Sequence, residues 1–380
     1  MKISQSTRIL AVTTNFPSPR FPEKGVFIKN ILCEMARQGA KVDVIAPHSW
    51  VANIKTIGRG KKNVDFGPLN IYRPIVTIIP LRFFGRFKGV IVKVNDFIFK
   101  RAVERFIKNN KKYELCYCHF YRSGKAALNL MKKNKIPIIL NFGESSPWIY
   151  DDYYGKENWT NDLKRFTAVL SVSKFNKDYL INLNQTLEPK IHYMPNGVDL
   201  SRFYPLNKFK CREKLGLPQN EKIVIFVGHF IERKGVLLVE KSINKIGIKG
   251  IFLGVGPLKP VGENVLFAGS VVNDELRTWL NAADVFVLPS LAEGMSNAIL
   301  EALACGLPLV VSDLEFNREF LTLECTQFVN PHSYIDIAKG INYSINPENA
   351  KVMRNECLSL APKYGIDNRI KNIFSLVEEL

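Results

Sequence analysis

Several things are missing from this 380-residue chain, and each absence narrows its nature. No run of apolar residues reaches the ~18 uncharged positions that a membrane-spanning helix requires. The opening stretch MKISQSTRILAVTTNFPSP is too polar and its apolar run too short for a secretory leader, so it reads as a first strand. The seven cysteines are scattered without a CxxC pair, and Cys33 and Cys305 lie in apolar runs. That pattern argues against a disulfide framework or a zinc site and fits reduced thiols in a cytoplasm. No G-x-G-x-x-G follows the first strand, which argues against a dinucleotide-dependent oxidoreductase. No Asp-x-Asp metal motif occurs, since Asp151 and Asp152 are adjacent. Neither a 20–50-residue repeat nor a low-complexity tract is present.

Acidic residues are also scarce, but only in one half. Residues 1–190 carry a net charge of +19 and residues 191–380 a net charge of −1. Two halves so different in charge point to two domains meeting different partners. A basic half suits an anionic surface: phospholipid, nucleic acid or a phosphorylated substrate. Apolar residues make up 46% and charged residues 23%, which is material for two cores, and the length exceeds what one core usually organises.

The first half opens as strand (RILAVTTNF), proline-rich loop, amphipathic helix (VFIKNILCEMARQG) and strand (KVDVIAP). Further strands are expected at YELCYCHF, IPIILNF, AVLSVS and KIHYMPN. The second half alternates likewise, with EKIVIFVG, KGIFLGVG, NVLFAGS, DVFVLPS and LPLVVS as short Val/Ile/Phe-rich strands. Such strands are typical of parallel sheets buried on both faces. Apolar periodicity stops around MPNGVDLSRFYPLNKFKCREKLGLP, the expected junction. The fold class is therefore α/β: two doubly wound, Rossmann-like domains facing each other across a cleft. Ligands of open α/β sheets bind at the C-terminal ends of the strands.

The stretch SLAEGMSNAILEALACGLPLVVSD, Ser290 to Asp313, places Glu293 and Glu301 eight positions apart in small apolar surroundings. Ser296 is suited to cap a helix NAILEALAC and Gly306 to follow its end. The helix start then offers unpaired N–H groups to phosphate or sugar oxygens. Two fixed carboxylates accept hydrogen bonds from hydroxyls, as a polyol ligand requires. The bland alternative leaves Ser296 and Gly306 as caps, Cys305 in the core and Glu301 in solvent. Arg233 and Lys234, in FVGHFIERKGV, are expected to open a helix after the strand KIVIFVG. The macrodipole disfavours cations there by ~0.3–1 kcal/mol each, a sign that a bound diphosphate would reverse. Two solvated side chains beside Glu232 are the alternative.

EGMSNAILEALACGLPLVVSD resembles the E-x7-E signature of the retaining glycosyltransferases of family 4, which have the GT-B fold. The resemblance extends to MPNGVDLSRFYP (Met194–Pro205), FVGHFIERKGV (Phe226–Val236) and GVGP (Gly254–Pro257), in the family's order. It implies that Glu293 contacts donor-sugar hydroxyls, that Glu301 holds the ribose, and that Gly294, Met295, Ser296 and Asn297 approach sugar and phosphate. Lys234 matches the family lysine. His229 stands where family members commonly have an arginine, so Arg233 or His229 is expected to share that task. Gly25 matches a glycine loop near the donor phosphates and reads equally as a helix lead-in. His119, at the end of a strand, is an acceptor-side candidate and reads equally as a satisfied core or loop histidine; Glu144 is the acceptor-side candidate of the next loop. Phe142-Gly143 replaces the family's frequent His-Gly pair, which leaves histidine-assisted catalysis without its usual residue.

The domains expected on this basis are residues 1–197 (acceptor side), 198–361 (nucleotide-sugar side) and a helix, 362–380, crossing back to the first. The basic segment from Arg82 to Lys112 interleaves cations with phenylalanines. Val94, Ile98, Val103 and Phe106 can form a stripe for an anionic membrane interface, or for packing on the sheet. The resemblance implies a hexosyltransferase acting with retention of configuration. It would use a UDP- or GDP-linked sugar and a glycan or lipid-linked acceptor, as in bacterial lipopolysaccharide, O-antigen or capsule synthesis. No cofactor and no metal are expected. The place of action would be cytoplasmic, at the inner face of the membrane. Rival readings are a GT-B epimerase or phosphorylase, and a nucleic-acid-binding protein that uses the +19 half. The last predicts steep salt dependence but leaves Glu293 and Glu301 without a task, so no nucleic-acid partner is expected.

Overall fold

The computed structural model describes residues 7–19, 21–22, 24–49, 65–79, 88–108 and 113–380. The chain parts into two compact units, Met1–Pro195 with Ile370–Leu380, and Asn196–Arg369.

The first unit is built on seven parallel strands: β1 (Arg8–Val12), β2 (Lys41–Ile45), β3 (Asn70–Tyr72), β4 (Leu115–His119), β5 (Ile138–Phe142), β6 (Ala168–Ser171) and β7 (Ile191–Tyr193). Their order is β3-β2-β1-β4-β5-β6-β7, which reverses direction between β1 and β4. Strands β4 and β5 are buried along their whole length, as expected for central strands covered on both faces. β1 is shorter than its apolar run suggests and does not reach Phe16. The Thr13 hydroxyl donates to the Asn15 carbonyl at 3.1 Å and turns the chain. The returning helix, Val26–Arg37, is preceded by Gly25 in the left-handed region at φ 69°. A Cβ at Gly25 would lie 2.3 Å from the Asn15 oxygen, so only glycine lets these two backbones cross.

The long basic helix spans Lys88–Lys108; residues 82–87 and 109–112 of the expected membrane segment lie outside the described residues. Its buried stripe is Val92, Phe99, Val103 and Ile107. Of the stripe expected through Val94, Ile98, Val103 and Phe106, Val103 is buried, Phe106 packs part-buried against the core, and Val94 is exposed. Two buried polar side chains set this rotation. Asn95 bonds both the N–H and the carbonyl of Ile79, at 2.8 and 2.9 Å. Asp96 pairs with Arg122 at 2.7 Å and accepts from the Tyr154 hydroxyl at 2.5 Å. Buried polar groups need such partners, and meeting them turns Val94 and Phe97 outward.

The second unit has six parallel strands: β8 (Ile223–Val227), β9 (Lys249–Leu253), β10 (Val265–Gly269), β11 (Val285–Leu288), β12 (Leu309–Ser312) and β13 (Thr326–Val329). Their order, β10-β9-β8-β11-β12-β13, is that of a dinucleotide-type Rossmann sheet with its switch point between β8 and β11. At the N-terminal edge of these two strands lies Arg212, only 1% exposed. Its guanidinium donates to the carbonyls of Ala282, Gln219 and Glu221 and pairs with Asp284 at 2.8 Å. Asp284 also accepts the Ile223 N–H at 2.8 Å. The buried charge is thus fully partnered, the condition under which such a group is tolerated.

All seven cysteines are buried, and none forms a disulfide. Among the described residues no helix is long and apolar enough to cross a membrane.

Candidate functional site

The loops that leave β8 and β11 at their C-terminal ends meet at the switch point of the second unit. Arg233 and Lys234 do not open the following helix as expected. They lie in a short 3₁₀ turn, Glu232–Lys234, and the helix Val236–Ile246 begins after Gly235. Gly235 sits at φ 70°, and a Cβ there would be 2.8 Å from the Pro289 ring and 3.0 Å from its carbonyl oxygen. The sharp stop before the helix comes from this close approach to the β11 loop.

The two loops are then laced together. The Leu291 N–H donates to the Arg233 carbonyl at 2.8 Å, and the Arg233 guanidinium donates to the Ala292 carbonyl. The Lys234 ammonium donates to Oε1 of Glu293, and Arg233 lies 3.8 Å from Oε2 of the same carboxylate. The Lys234 and Glu293 side chains are 12% and 10% exposed, so screening by water is weak and this pairing is stronger than a surface one. Two cations face one carboxylate, which leaves a net positive charge for an anion.

The helix that follows the β11 loop spans Asn297–Ala304, with Ser296 at its N-cap position. Contrary to expectation, the Ser296 side chain makes no capping hydrogen bond, so it does not occupy the first N–H groups of the helix. Cys305 and Gly306, at φ 72°, close the helix as expected. Gly294 and Met295 are buried and Asn297 half-buried. Asn196 fixes this loop, donating its backbone N–H to the Met295 sulfur at 3.1 Å and its side-chain amide to the Met295 carbonyl at 3.0 Å. Glu301 lies mid-helix and is partly exposed. Burial pushes its carboxyl up to about 8, with the charge of Arg202 pulling the other way. Glu301 is therefore not a plainly solvated residue. His229 is exposed in the loop after β8, and the next residue, Phe230, donates its N–H to the Val255 carbonyl of the GVGP turn at 2.9 Å.

The corresponding strand ends of the first unit hold different chemistry. His119 closes β4, buried, with Nε2 3.3 Å from the Asn141 amide nitrogen and its ring edge-on to Phe27 and Phe120 at 5.3 and 4.6 Å. Phe120 stands at φ 69°, a strained conformation for a bulky residue. Glu144 follows β5 and is buried. Its Oε1 accepts the Tyr121 N–H at 2.7 Å and the Tyr150 hydroxyl at 3.0 Å, while Oε2 has no partner among the described residues. Burial pushes this carboxyl up to about 7 against those hydrogen bonds.

Of the sequence-predicted residues of the second unit, Arg233, Lys234 and Glu293 are brought into contact, and Gly294 to Asn297 lead from there into the helix that carries Glu301 one turn further. Sequence reasoning missed Asn196, which sits in a recognised motif without an assigned task. It also missed Arg202, whose charge reaches Glu301. In the first unit it missed Asn141 and Tyr150, the partners of His119 and Glu144. Among the described residues no cluster of His, Cys, Asp and Glu is arranged to hold a metal ion.

Comparison with known proteins agrees with this architecture. Residues 25–202 match the model of the Glycosyltransferase Family 4 domain, and residues 221–346 that of Glycosyl transferases group 1. The chain is 28% identical over 326 residues to TuaC of Bacillus subtilis (strain 168), named as a glycosyltransferase of teichuronic acid biosynthesis, with 81% of each chain covered. It is 32% identical over 209 residues to the Escherichia coli UDP-Gal:alpha-D-GlcNAc-diphosphoundecaprenol alpha-1,3-galactosyltransferase, covering 50% of this chain and 52% of that one. Among solved structures, sucrose-phosphate synthase from Thermosynechococcus elongatus aligns with a TM-score of 0.77 at 18% identity over 98% of each chain. Anabaena HepE in complex with UDP and glucose aligns at 0.72 and 16% identity, covering 98% of this chain and 100% of that one. These matches define a glycosyltransferase of the GT-B fold. More particularly, the two domain models, taken together with the fold, support a family 4-like glycosyltransferase.

Proposed function

We propose that the protein transfers a hexose-type sugar from a UDP- or GDP-linked donor, with retention of configuration and without a metal. The acceptor is a glycan or lipid-linked molecule of bacterial cell-surface polysaccharide synthesis, used at an anionic cytoplasmic membrane surface. The observation that carries this reading is the Lys234–Glu293 pair at the switch point, with Arg233 beside it. In the reaction the glycosidic oxygen–carbon bond to the acceptor forms on the face from which the nucleotide diphosphate leaves, and the acceptor's proton passes to the departing phosphate. Lys234, Arg233 and the helix N–H groups after Ser296 stabilise the negative charge gathering on that phosphate. Glu293 exchanges its hold on Lys234 for the sugar hydroxyls, and Glu301 accepts from the ribose. His119 and Glu144 belong to the acceptor side. HepE was solved with UDP-glucose, and relatives are named as a GlcNAc-diphosphoundecaprenol galactosyltransferase and an alpha-monoglucosyldiacylglycerol synthase; both support this choice of donor and acceptor. An epimerase or phosphorylase of the same fold predicts turnover without a glycosyl acceptor or with phosphate in its place.

The test is a thermal-shift and calorimetric screen of UDP, GDP and their sugars, with and without a chelator, on the wild type and Glu301→Ala. A ligand at about 100 times its Kd stabilises the native state by roughly 2.7 kcal/mol. Stabilisation by one nucleotide series, insensitive to the chelator and lost in the variant, is expected. No shift from any nucleotide, or an equal shift in Glu301→Ala, sinks the assignment. Anomeric proton spectroscopy of the product then decides retention.

A further inference from the structure

The Lys88–Lys108 helix carries two apolar stripes, only one of which is used by the core. The unused one runs through Val90, Val94 and Phe97, 59%, 39% and 56% exposed, at the same helical spacing, and continues into Arg101 and Arg105. Opposite it, the segment after β3 presents Ile75, which is 73% exposed. Between helix and segment lies a groove of about 760 Å³, walled by Ile71, Ile75, Phe97, Ile98 and Phe106 and edged by Arg101 and Arg105. Arg73 also borders it but is committed elsewhere, bonding the Pro17 carbonyl and lying over the Phe16 and Phe66 rings. Arg101 lies over the Phe97 ring at 5.2 Å and 3.7 Å from Glu104. Arg105 makes no ion pair among the described residues and is exposed.

We infer that this groove takes the tail and phosphate of one anionic lipid, with the chain against Phe97 and Ile75 and the phosphate on Arg105 and Arg101. Cations alone would suit any polyanion, but the aliphatic wall of Ile71, Ile75 and Ile98 offers bases no ring to stack on beyond Phe97 and Phe106. An alkyl chain, by contrast, buries against all of them. An apolar partner surface, in turn, leaves Arg105 unpaired. An amphiphile with a charged head satisfies both. The groove also opens beyond the C-terminal end of β3, the edge of the parallel sheet at which His119 and Glu144 stand. From β3 to β4 is three strand spacings, roughly 14 Å. The inference rests on the reading of a lipid-linked acceptor and adds where its lipid is held.

The experiment titrates dodecyl phosphate, below its micelle concentration, into the full-length protein by calorimetry. Dodecanol and inorganic phosphate serve as separate arms, and UDP and GDP are titrated in parallel. Saturable one-site binding of dodecyl phosphate is expected, tighter than either single-feature probe by roughly tenfold or more. Phe97→Asp and Arg105→Glu should each weaken it by about tenfold while thermal stability and nucleotide binding stay unchanged. Ile75→Asp, on the facing wall, serves as an independent variant should Phe97→Asp alter folding. No binding, equal binding of inorganic phosphate, or equal binding by the variants overturns the inference. Loss of nucleotide binding in the wild type would instead strike the proposed function and leave the groove standing.

Discussion

The two units share a sheet plan and differ in what their strand ends carry. Both switch direction beside their first strand, between β1 and β4 in one and between β8 and β11 in the other. In the second unit the loops at that point are charged, with Lys234 and Arg233 closing on Glu293. In the first they are aromatic and neutral-leaning, with Phe27 and Phe120 around His119 and a buried Glu144 whose carboxyl is pushed up to about 7. The overall charge runs the other way, +19 in the first 190 residues and −1 in the rest. Net charge therefore describes the surroundings of each unit, while the chemistry of its site is set by a handful of partly buried groups. A sheet plan alone does not assign a function.

The sharpest way to break this contrast is to neutralise the charged end. Lys234→Ala should lower kcat by roughly 10²–10³-fold, measured as release of nucleotide diphosphate. His119→Ala should mainly raise the KM for acceptor. An equal effect of both on donor binding would erase the division of labour.

A second comparison uses pH. Glu301 and Glu144 both have carboxyls raised from an ordinary 4.5, to about 8 and about 7. A raised folded pKa means that the native state holds the proton more tightly than the unfolded chain. The stability so contributed is intact below about pH 4.5 and is lost as pH climbs through the folded value. Wild-type melting temperature should thus fall from pH 5 upward. Glu144→Gln should flatten the part of that fall below pH 7, and Glu301→Gln should also remove the part between pH 7 and 8. Identical pH profiles for wild type and both variants would refute it.

The smallest effect concerns Phe120. Its left-handed backbone costs ~1–2 kcal/mol for an L-residue. Phe120→Gly relieves this, against lost apolar contact and the extra chain entropy of glycine. Chemical denaturation should rank Phe120→Gly above Phe120→Ala by about 1 kcal/mol. The reverse order would mean that the turn is not strained.

Much of the second unit was legible because glycines and charges punctuate its loops, so Arg233, Lys234, Glu293 and Glu301 stand out against apolar strands. The local geometry was less so. The 3₁₀ turn at Glu232–Lys234 is imposed by the Pro289 backbone against Gly235, a contact 54 positions away in the chain. Strands β3 and β13, which are NIY and TQFV in full, are too short to show alternation. The rotation of the Lys88–Lys108 helix was hidden for the same kind of reason. Asn95 and Asp96 look like surface residues until Ile79, Arg122 and Tyr154 are brought to them. Periodicity reports one helix at a time and cannot foresee such partners.

Arg212, buried under the opposite rim of the second sheet, bears on how this protein can change. It joins the approach to β8 and the approach to β11 through Ala282, Glu221 and Asp284, so the spacing of the two strands is set far from the loops that hold Lys234 and Glu293. Exchanging residues 289–296 for the equivalent loop of a relative leaves that clasp intact. A change of that loop can then be made by graft, while the framework that presents it is inherited whole.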